Sequence, residues 1–247
     1  MKQTDWKNFF DEDYYTYFQS VDNSAKEAKF IIKFLDLKKE DHILDIGCGN
    51  GRHLLKLHKA GFRNLTGVDF SENFVEFVQK HVEEKGLLGM NVEHADFLQH
   101  DLKKSFDKAY SFFSSFGYFS DERNEEYIKK VAEILNPGGL FLLDIFNYFY
   151  FVKNYQEMIE VDKGDMHFVN KNKFDVELSI NEAENVITDK ETGRKKEYSY
   201  VMRYYTVSEI KNMLAKQGFE IVSILGDYEG QKINTQSKRA IFVCRKS

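Results

Sequence analysis

Apolar positions along the chain follow two spacings in turn. Ala28, Ile31, Ile32 and Leu35 recur at i, i+3, i+4, i+7, which predicts a helix with one buried stripe. The run His42-Ile43-Leu44-Asp45-Ile46 is short, apolar and ends at glycines, so it predicts a buried strand. A helix is expected from Arg52 to Lys59, closed by Gly61. Leu65 to Asp69 reads as a second strand. Ser71 is placed to cap a helix running to Lys85, with Gly86 just past its end. Further strands are expected over 92–95, 108–113 and 140–144. A helix over 122–135 would turn Ile128, Val131, Ala132 and Leu135 to the core, and Asn136-Pro137-Gly138-Gly139 reads as the turn that follows it.

Strands alternating with helices at this spacing imply a parallel sheet covered on both faces. Right-handed crossovers then gather the strand-to-helix loops on one edge, where open α/β sheets bind ligands. The pattern changes near Asn147. From about 157 to 205 it has period two, with Tyr198, Tyr200, Met202 and Tyr204 on one strand face. Asp189-Lys190-Glu191-Thr192-Gly193 fits a hairpin turn, so three or four antiparallel strands are expected. The α/β pattern then returns: a helix from Ser208 to Lys216, a cap at Gly218, and strands over 219–225 and 240–244.

The chain has 247 residues, 42% hydrophobic and 30% charged, a globular composition with a formal net charge of -5. That charge argues against a broad phosphate-gripping surface. The short basic clusters, such as Lys103-Lys104 and Arg194-Lys195-Lys196, read as solvated faces. The two cysteines, Cys48 and Cys244, are too few for a disulfide scaffold and point to a reducing compartment. No stretch reaches the ~18–20 apolar residues of a membrane span, and Met1-Lys2-Gln3-Thr4-Asp5-Trp6 lacks a signal core. A soluble cytoplasmic protein is expected.

The segment richest in chemistry is Asp45-Ile46-Gly47-Cys48-Gly49-Asn50-Gly51, where a strand runs into alternating glycines and then a helix. Glycines there permit a sharp turn and close approach of a ligand to the backbone. A dinucleotide loop would need its third glycine at Arg52, and no Gly-Lys-Ser/Thr follows, so neither that loop nor a P-loop is present. Asp69 closes the second strand, where a carboxylate can accept from a ribose diol. Asp96 closes the third.

In these features the sequence resembles the class I S-adenosylmethionine-dependent methyltransferases, small-molecule type. Asp45-x-Gly47-x-Gly49-x-Gly51, Val68-Asp69, Ala95-Asp96-Phe97 and Leu135-Asn136-Pro137-Gly138-Gly139 carry the resemblance in register over residues 25–145, more loosely over 206–245. The resemblance implies a seven-stranded, mostly parallel, doubly wound Rossmann-like sheet with helices on both faces, plus the small antiparallel insertion. It divides the chain into an N-terminal cap (1–22), a cofactor-binding core (23–147), an inserted substrate lid (148–205) and a closing helix and strand pair (206–247). It also implies S-adenosylmethionine as cofactor and S-adenosylhomocysteine as product. Gly47, Gly49 and Gly51 would lie under the methionine and ribose, and Asp45 would reach the methionine ammonium. Asp69 would bind the ribose hydroxyls and Asp96 the adenine amino group. Phe70 and Phe97 would flank the ring, although Phe97 also fits a plain core position, and Ser114 would offer backbone contacts.

The expected reaction is in-line methyl transfer to a small-molecule acceptor with an N or O nucleophile, driven by alignment and exclusion of water. Tyr14, Tyr15, Tyr118, Asn147 and Tyr205 are the candidate substrate contacts; no catalytic base is identified. Ser114 stands where a metal-dependent relative would carry its first carboxylate, and the histidines show no ligand spacing, so no metal is expected. Two other readings stay open: a methyltransferase acting on RNA or protein, and a non-catalytic S-adenosylmethionine-binding module. Nucleic acid and membrane are disfavoured as partners, and oligomeric state, a homodimer included, is left open.

Overall fold

A computed structural model describes residues 23–247. The chain enters through helix α1 (Ser24–Phe34). Strands β1 (Ile43–Ile46), β2 (Leu65–Asp69), β3 (Met90–His94), β4 (Phe106–Ser111) and β5 (Leu135–Phe146) follow, interleaved with α2 (Arg52–Lys59), α3 (Glu72–Lys85) and α4 (Asp121–Ile134). Helix α5 (Tyr148–Lys153) leads to β6 (Met158–Lys163), β7 (Met166–Asp175), β8 (Ile180–Asp189) and β9 (Lys195–Arg203). Helix α6 (Val207–Lys216), β10 (Phe219–Leu225) and β11 (Arg239–Lys246) close the chain.

Seven strands form one sheet in the order β10-β11-β5-β4-β1-β2-β3. β1 pairs in parallel with β2 and β4, while β11 runs antiparallel between β5 and β10. Both faces are covered. Phe141, Leu143 and Ile145 of β5 join Ile128 and Val131 of α4 and Ile210 and Leu214 of α6. Leu140 and Leu142 point the other way, toward Ile31 of α1 and Leu54 and Leu57 of α2. This is the doubly wound architecture expected, and every residue of β1 is buried, as a central parallel strand requires.

The local signals act as read. Ser71 Oγ accepts from the Phe74 N–H, and Gly86 ends α3 in the left-handed region. Thr206 and Glu209 make a reciprocal capping box at the start of α6. Two expectations are corrected. Residues 136–139 do not form a separate turn: Leu135 already pairs with Phe106, and the ladder shifts register before Leu140, with Gly138 at φ 77° absorbing the kink. The fourth strand stops at Ser111 rather than 113, because Phe113 and Ser114 turn left-handed at φ 60° and 66°.

The period-two segment forms a second sheet of four strands, β6-β7-β8-β9. On one of its faces a chain of amides fixes register. Asn181 donates to Asn172 Oδ1 at 2.9 Å, Asn172 donates to Asn170, and Asn170 donates to Asn185 Oδ1 at 2.7 Å. Tyr200 on the same face meets the Tyr118 ring edge-on at 6.2 Å. That contact turns this face toward the ligand edge of the large sheet. Among the described residues no helix is long and apolar enough to cross a membrane.

Candidate functional site

The loop after β1 folds back over the end of β2. The Gly47 and Cys48 N–H groups donate to the Val68 carbonyl at 2.8 and 3.2 Å. Gly47, Gly49 and Gly51 hold φ of 76°, 52° and 70°, which only glycine adopts without strain. A Cβ on Gly47 would lie 2.7 Å from Ser115 Cβ, and one on Gly51 would lie 3.0 Å from Val78. A Cβ on Gly49 would meet nothing within 4 Å, so the middle glycine presents the open side of the loop.

Two carboxylates frame this opening. Asp45 is 1% exposed, and the buried Tyr110 hydroxyl is the hydrogen-bonding neighbour of its carboxyl. Burial pushes its carboxyl up to about 8, against the pull of the Tyr110 hydrogen bond and the Arg52 charge. Asp69 accepts the Gly49 N–H on Oδ2 at 2.7 Å and the Ser71 N–H on Oδ1 at 2.9 Å. It therefore builds the loop and the start of α3 together. Burial raises its carboxyl even so, because those two backbone donors offset desolvation only in part.

On the neighbouring strand tip, Asp96 Oδ1 accepts the Leu98 N–H at 3.0 Å, and Arg123 lies 3.9 Å from Oδ2. Phe70 is half-buried, and its carbonyl accepts from His94 Nε2 at 2.9 Å. Phe97 is buried: it packs on Tyr127 with ring centroids 4.9 Å apart, and the Lys130 ammonium sits 5.2 Å from its centroid.

On the other side of the loop, Arg52 opens α2. Its guanidinium reaches Glu27 of α1, and its Cζ lies 5.3 Å from the Phe113 ring centroid. Glu27 also accepts from His53 Nε2 at 2.9 Å. Burial pushes the His53 imidazole down to about 4, so it is neutral near pH 7 and donates from Nε2. Burial alone would raise Glu27, but the His53 hydrogen bond and the Arg52 charge hold its carboxyl below the ordinary value.

Beyond β4 lies the left-handed pair Phe113–Ser114. The Phe113 N–H donates to Asp144 Oδ2 at 2.9 Å, and the Ser114 N–H donates to the Asp144 carbonyl at 3.0 Å. Arg239 Nε donates to Asp144 Oδ1 at 2.7 Å, and its Nη2 donates to Ser114 Oγ at 2.9 Å. The Tyr228 hydroxyl adds a third donor to the Asp144 side chain, at 2.9 Å. Ser114 then lines a small cavity with Phe116, Phe146, Met202, Tyr204 and Tyr205, between the sheet edge and the return from the inserted sheet.

The predicted substrate contacts divide. Tyr14 and Tyr15 lie outside the described residues. Tyr118 is half-buried against Tyr200. The Tyr205 ring lines the cavity, but its hydroxyl is turned to α4, donating to Asp121 at 2.6 Å and accepting from Asn124 at 2.9 Å. Asn147 does not line the cavity. It is 2% exposed, caps α5 through the Phe149 N–H, and donates to the Asn234 and Ser237 carbonyls at 3.0 and 2.8 Å. Its side chain braces the β10–β11 connection.

Sequence reasoning missed Glu27, Arg52, His53, Tyr228 and Arg239. One signal was available: an acid at the ligand end of a central strand, Asp144, demands a buried cation. Among the described residues no three His, Cys, Asp or Glu side chains gather to hold a metal.

Comparison with known proteins concerns the same stretch of chain. Residues 43–139 match the family described as a methyltransferase domain. Among curated proteins, the chain is 24% identical to a putative methyltransferase, YqeM, of Bacillus subtilis over 224 residues, 85% of this chain and 86% of that one. It is 30% identical over 133 residues to EEF1A lysine methyltransferase 2 of Danio rerio, covering 51% of this chain and 55% of that one. Among solved structures, an S-adenosylmethionine-dependent methyltransferase from Clostridium acetobutylicum superposes with a TM-score of 0.83 at 21% identity, over 98% and 99% of the two chains. The sugar N-methyltransferase KedS8 from a Streptoalloteichus species superposes at 0.70 with 21% identity, over 95% and 92%.

The matched domain and the seven-stranded sheet define a methyl-transferring enzyme. Residues 43–139 carry a methyltransferase domain, the sheet has the fold of class I S-adenosylmethionine-dependent methyltransferases, and S-adenosylmethionine is the cofactor.

Proposed function

We propose that this enzyme methylates a small-molecule acceptor bearing a nitrogen or oxygen nucleophile. The observation that carries the reading is the cavity at Ser114, walled by Phe116, Phe146, Tyr204 and Tyr205 and closed by the end of β9. The enclosed space is only about 10 Å³, room for roughly one water, so its walls must part to admit an acceptor; their aromatic faces suit one with an apolar or cationic body. The likeness to a sugar N-methyltransferase supports it.

The residues at the edge fit the cofactor. The buried Asp45 carboxyl suits the methionine ammonium, and the open side of Gly49 leaves room for close approach. Asp69 keeps lone pairs for ribose hydroxyls beyond its two backbone donors. Asp96 would accept from the adenine amino group, with Phe70 flanking the ring and the buried Phe97 supporting it from below. Backbone at Ser114 would meet the methionine end.

When bound, the cofactor supplies a sulfonium methyl carbon open to in-line attack. The chain supplies alignment and a dry site. Asp121 and Asp144 are committed, to Tyr205 and Arg203 and to Arg239, Tyr228 and the Phe113 N–H. Burial holds the Tyr204 phenol well above its ordinary value, so it stays protonated as a donor. Such a site favours an acceptor that arrives with a neutral nucleophile, such as an amine. The two buried thiols fit a reducing compartment, and we place the enzyme in the cytoplasm.

The test is formation of S-adenosylhomocysteine and a methylated product from a panel of amino sugars, other amines and phenols, run beside tRNA and protein substrates. Turnover confined to the macromolecules would overturn the reading in favour of the second one, a protein acceptor. The partial identity to an EEF1A lysine methyltransferase is what keeps that alternative in view.

A further inference from the structure

The Phe113–Ser114 step is anomalous. Among the described residues only Asp36, Phe113, Ser114 and Ser179 are non-glycine residues with clearly positive φ, and this is the one place where two are consecutive. Neither is Asn or Asp, the residues that tolerate this region best. Such a conformation persists only where its surroundings over-determine it.

The surroundings here converge on Arg239. It is 8% exposed and sits at the start of β11, paired with Phe146 of β5 across the ladder. One edge of its fork grips Asp144 Oδ1 through Nε, and Nη2 reaches Ser114 Oγ. Its Cζ lies 4.5 Å from the Phe146 ring centroid and 5.6 Å from that of Phe113. Arg52 approaches the same Phe113 ring at 5.3 Å, so two cations flank a side chain that is 48% exposed. Asp144 in turn fixes both N–H groups of the step, one by its side chain and one by its carbonyl. The step matters because of its place. The Ser115 hydroxyl shares its one proton between the Phe112 carbonyl at 3.1 Å and the Gly47 carbonyl of the loop at 3.4 Å, and Ser114 lines the cavity.

We infer that Arg239 is a positioning residue for methyl transfer: anchored on Asp144, it holds the left-handed Phe113–Ser114 step that walls off the cofactor loop from the acceptor cavity. Arginine is needed because one planar fork must satisfy a carboxylate, a hydroxyl and two ring faces at once. A lysine keeps the charge against Asp144 but is a single point donor. The inference rests on the methyl-transfer reading only in placing the wall beside the cofactor.

Glycine separates this role from simple charge neutralisation, because glycine adopts the left-handed region without a holder. The probe is S-adenosylhomocysteine, titrated calorimetrically into purified full-length protein. Arg239→Lys is expected to weaken binding about tenfold, and Ser114→Gly alone to weaken it by less. The double variant Ser114→Gly/Arg239→Lys is expected to bind as Ser114→Gly alone does, because glycine no longer needs the holder. Ser114→Ala, which loses the acceptor and keeps the strained Cβ, should bind more weakly than Ser114→Gly.

Arg239→Lys binding like the parent would overturn the inference, as would a double variant no better than Arg239→Lys alone. Should Arg239→Lys fail to fold, the comparison of Ser114→Ala with Ser114→Gly decides, and equal affinities refute the holding role. Thermal midpoints without ligand read the same holding independently. If glycine restores the midpoint lost in Arg239→Lys while no protein binds the probe, the cofactor assignment fails and the role of Arg239 as holder stands.

Discussion

Glu27 of α1 accepts from His53 Nε2 at 2.9 Å, which ties the helix that enters the fold to the helix that leaves the glycine loop. The pair is buried, with side-chain exposures of 4% for Glu27 and 6% for His53. A neutral imidazole there carries a pH dependence of known sign. His53 titrates near 4 in the fold against an ordinary 6.5, so between those values the unfolded chain takes up a proton that the native state refuses. Stability therefore falls as pH drops through that window, and the lowered Glu27 carboxyl extends the loss at its acid end.

His53→Gln can keep an N–H toward Glu27 without titrating. The variant should lose less stability than the parent on going from about pH 6.5 to about pH 5, by on the order of 2 kcal/mol in denaturant unfolding. Parallel curves for the two proteins would remove His53 as the source.

Asp45 behaves in the opposite sense. Its carboxyl stays protonated up to about 8 in the fold, so the ligand-free protein is destabilised as pH rises from the ordinary carboxylate value toward 8. A cationic ligand favours the carboxylate and expels the proton. Affinity for S-adenosylmethionine should therefore climb with pH and level off above about 8. Titration calorimetry in two buffers of different ionisation enthalpy reads the proton release directly. Asp45→Asn should bind more weakly, lose most of the pH slope, and unfold at a higher temperature than the ligand-free parent at alkaline pH. An unchanged slope would detach Asp45 from the cofactor.

The parts of this site that were legible in sequence are the local ones. Three glycines between a buried strand and a helix dictate the loop, and Asp69 comes within reach of it because β2, the next strand in the chain, pairs directly with β1. Ser71 and Gly86 mark the limits of α3 through hydrogen bonds to their own neighbours. What was not legible depends on which strands become neighbours. Arg239 meets Asp144 across 95 residues because β11 inserts between β5 and β10. The left-handed step at Phe113 carries no glycine or asparagine to announce it. For Asn147 the place at the strand end was readable, and the direction of its side chain, toward the Asn234 and Ser237 carbonyls, was not.

Asp69 separates binding from loop building. Asp69→Ala removes the acceptors for the Gly49 and Ser71 N–H groups as well as any ribose contact, so it should cost both stability and cofactor affinity. Asp69→Asn keeps one acceptor and the side-chain shape. It should retain more of the thermal midpoint than Asp69→Ala while still weakening S-adenosylhomocysteine by roughly 1–3 kcal/mol in titration calorimetry. Full affinity in the asparagine variant would confine Asp69 to a structural role.

Two glycines predict opposite outcomes for one added methyl group. Gly67 lies inside β2, where a Cβ would sit 2.6 Å from Leu54 Cδ1 and 2.7 Å from Cys48 Sγ. Gly67→Ala must push apart packed core atoms at the floor of the loop, which costs typically about 1–3 kcal/mol. Gly49 has open space at the same test, and its cost is confined to the left-handed backbone at φ 52°, roughly 1–2 kcal/mol. Stability alone would rank the two variants as equal or Gly67→Ala as worse. Cofactor binding should reverse that order. The methyl group of Gly49→Ala enters the space the ligand needs, so it should lose at least about tenfold in S-adenosylhomocysteine affinity, a factor worth about 1.4 kcal/mol. Gly67→Ala, once folded, should bind nearly as the parent does. Thermal unfolding and calorimetry on both variants check the pair, and retained affinity in Gly49→Ala would mean that the ligand approaches some other side of the loop.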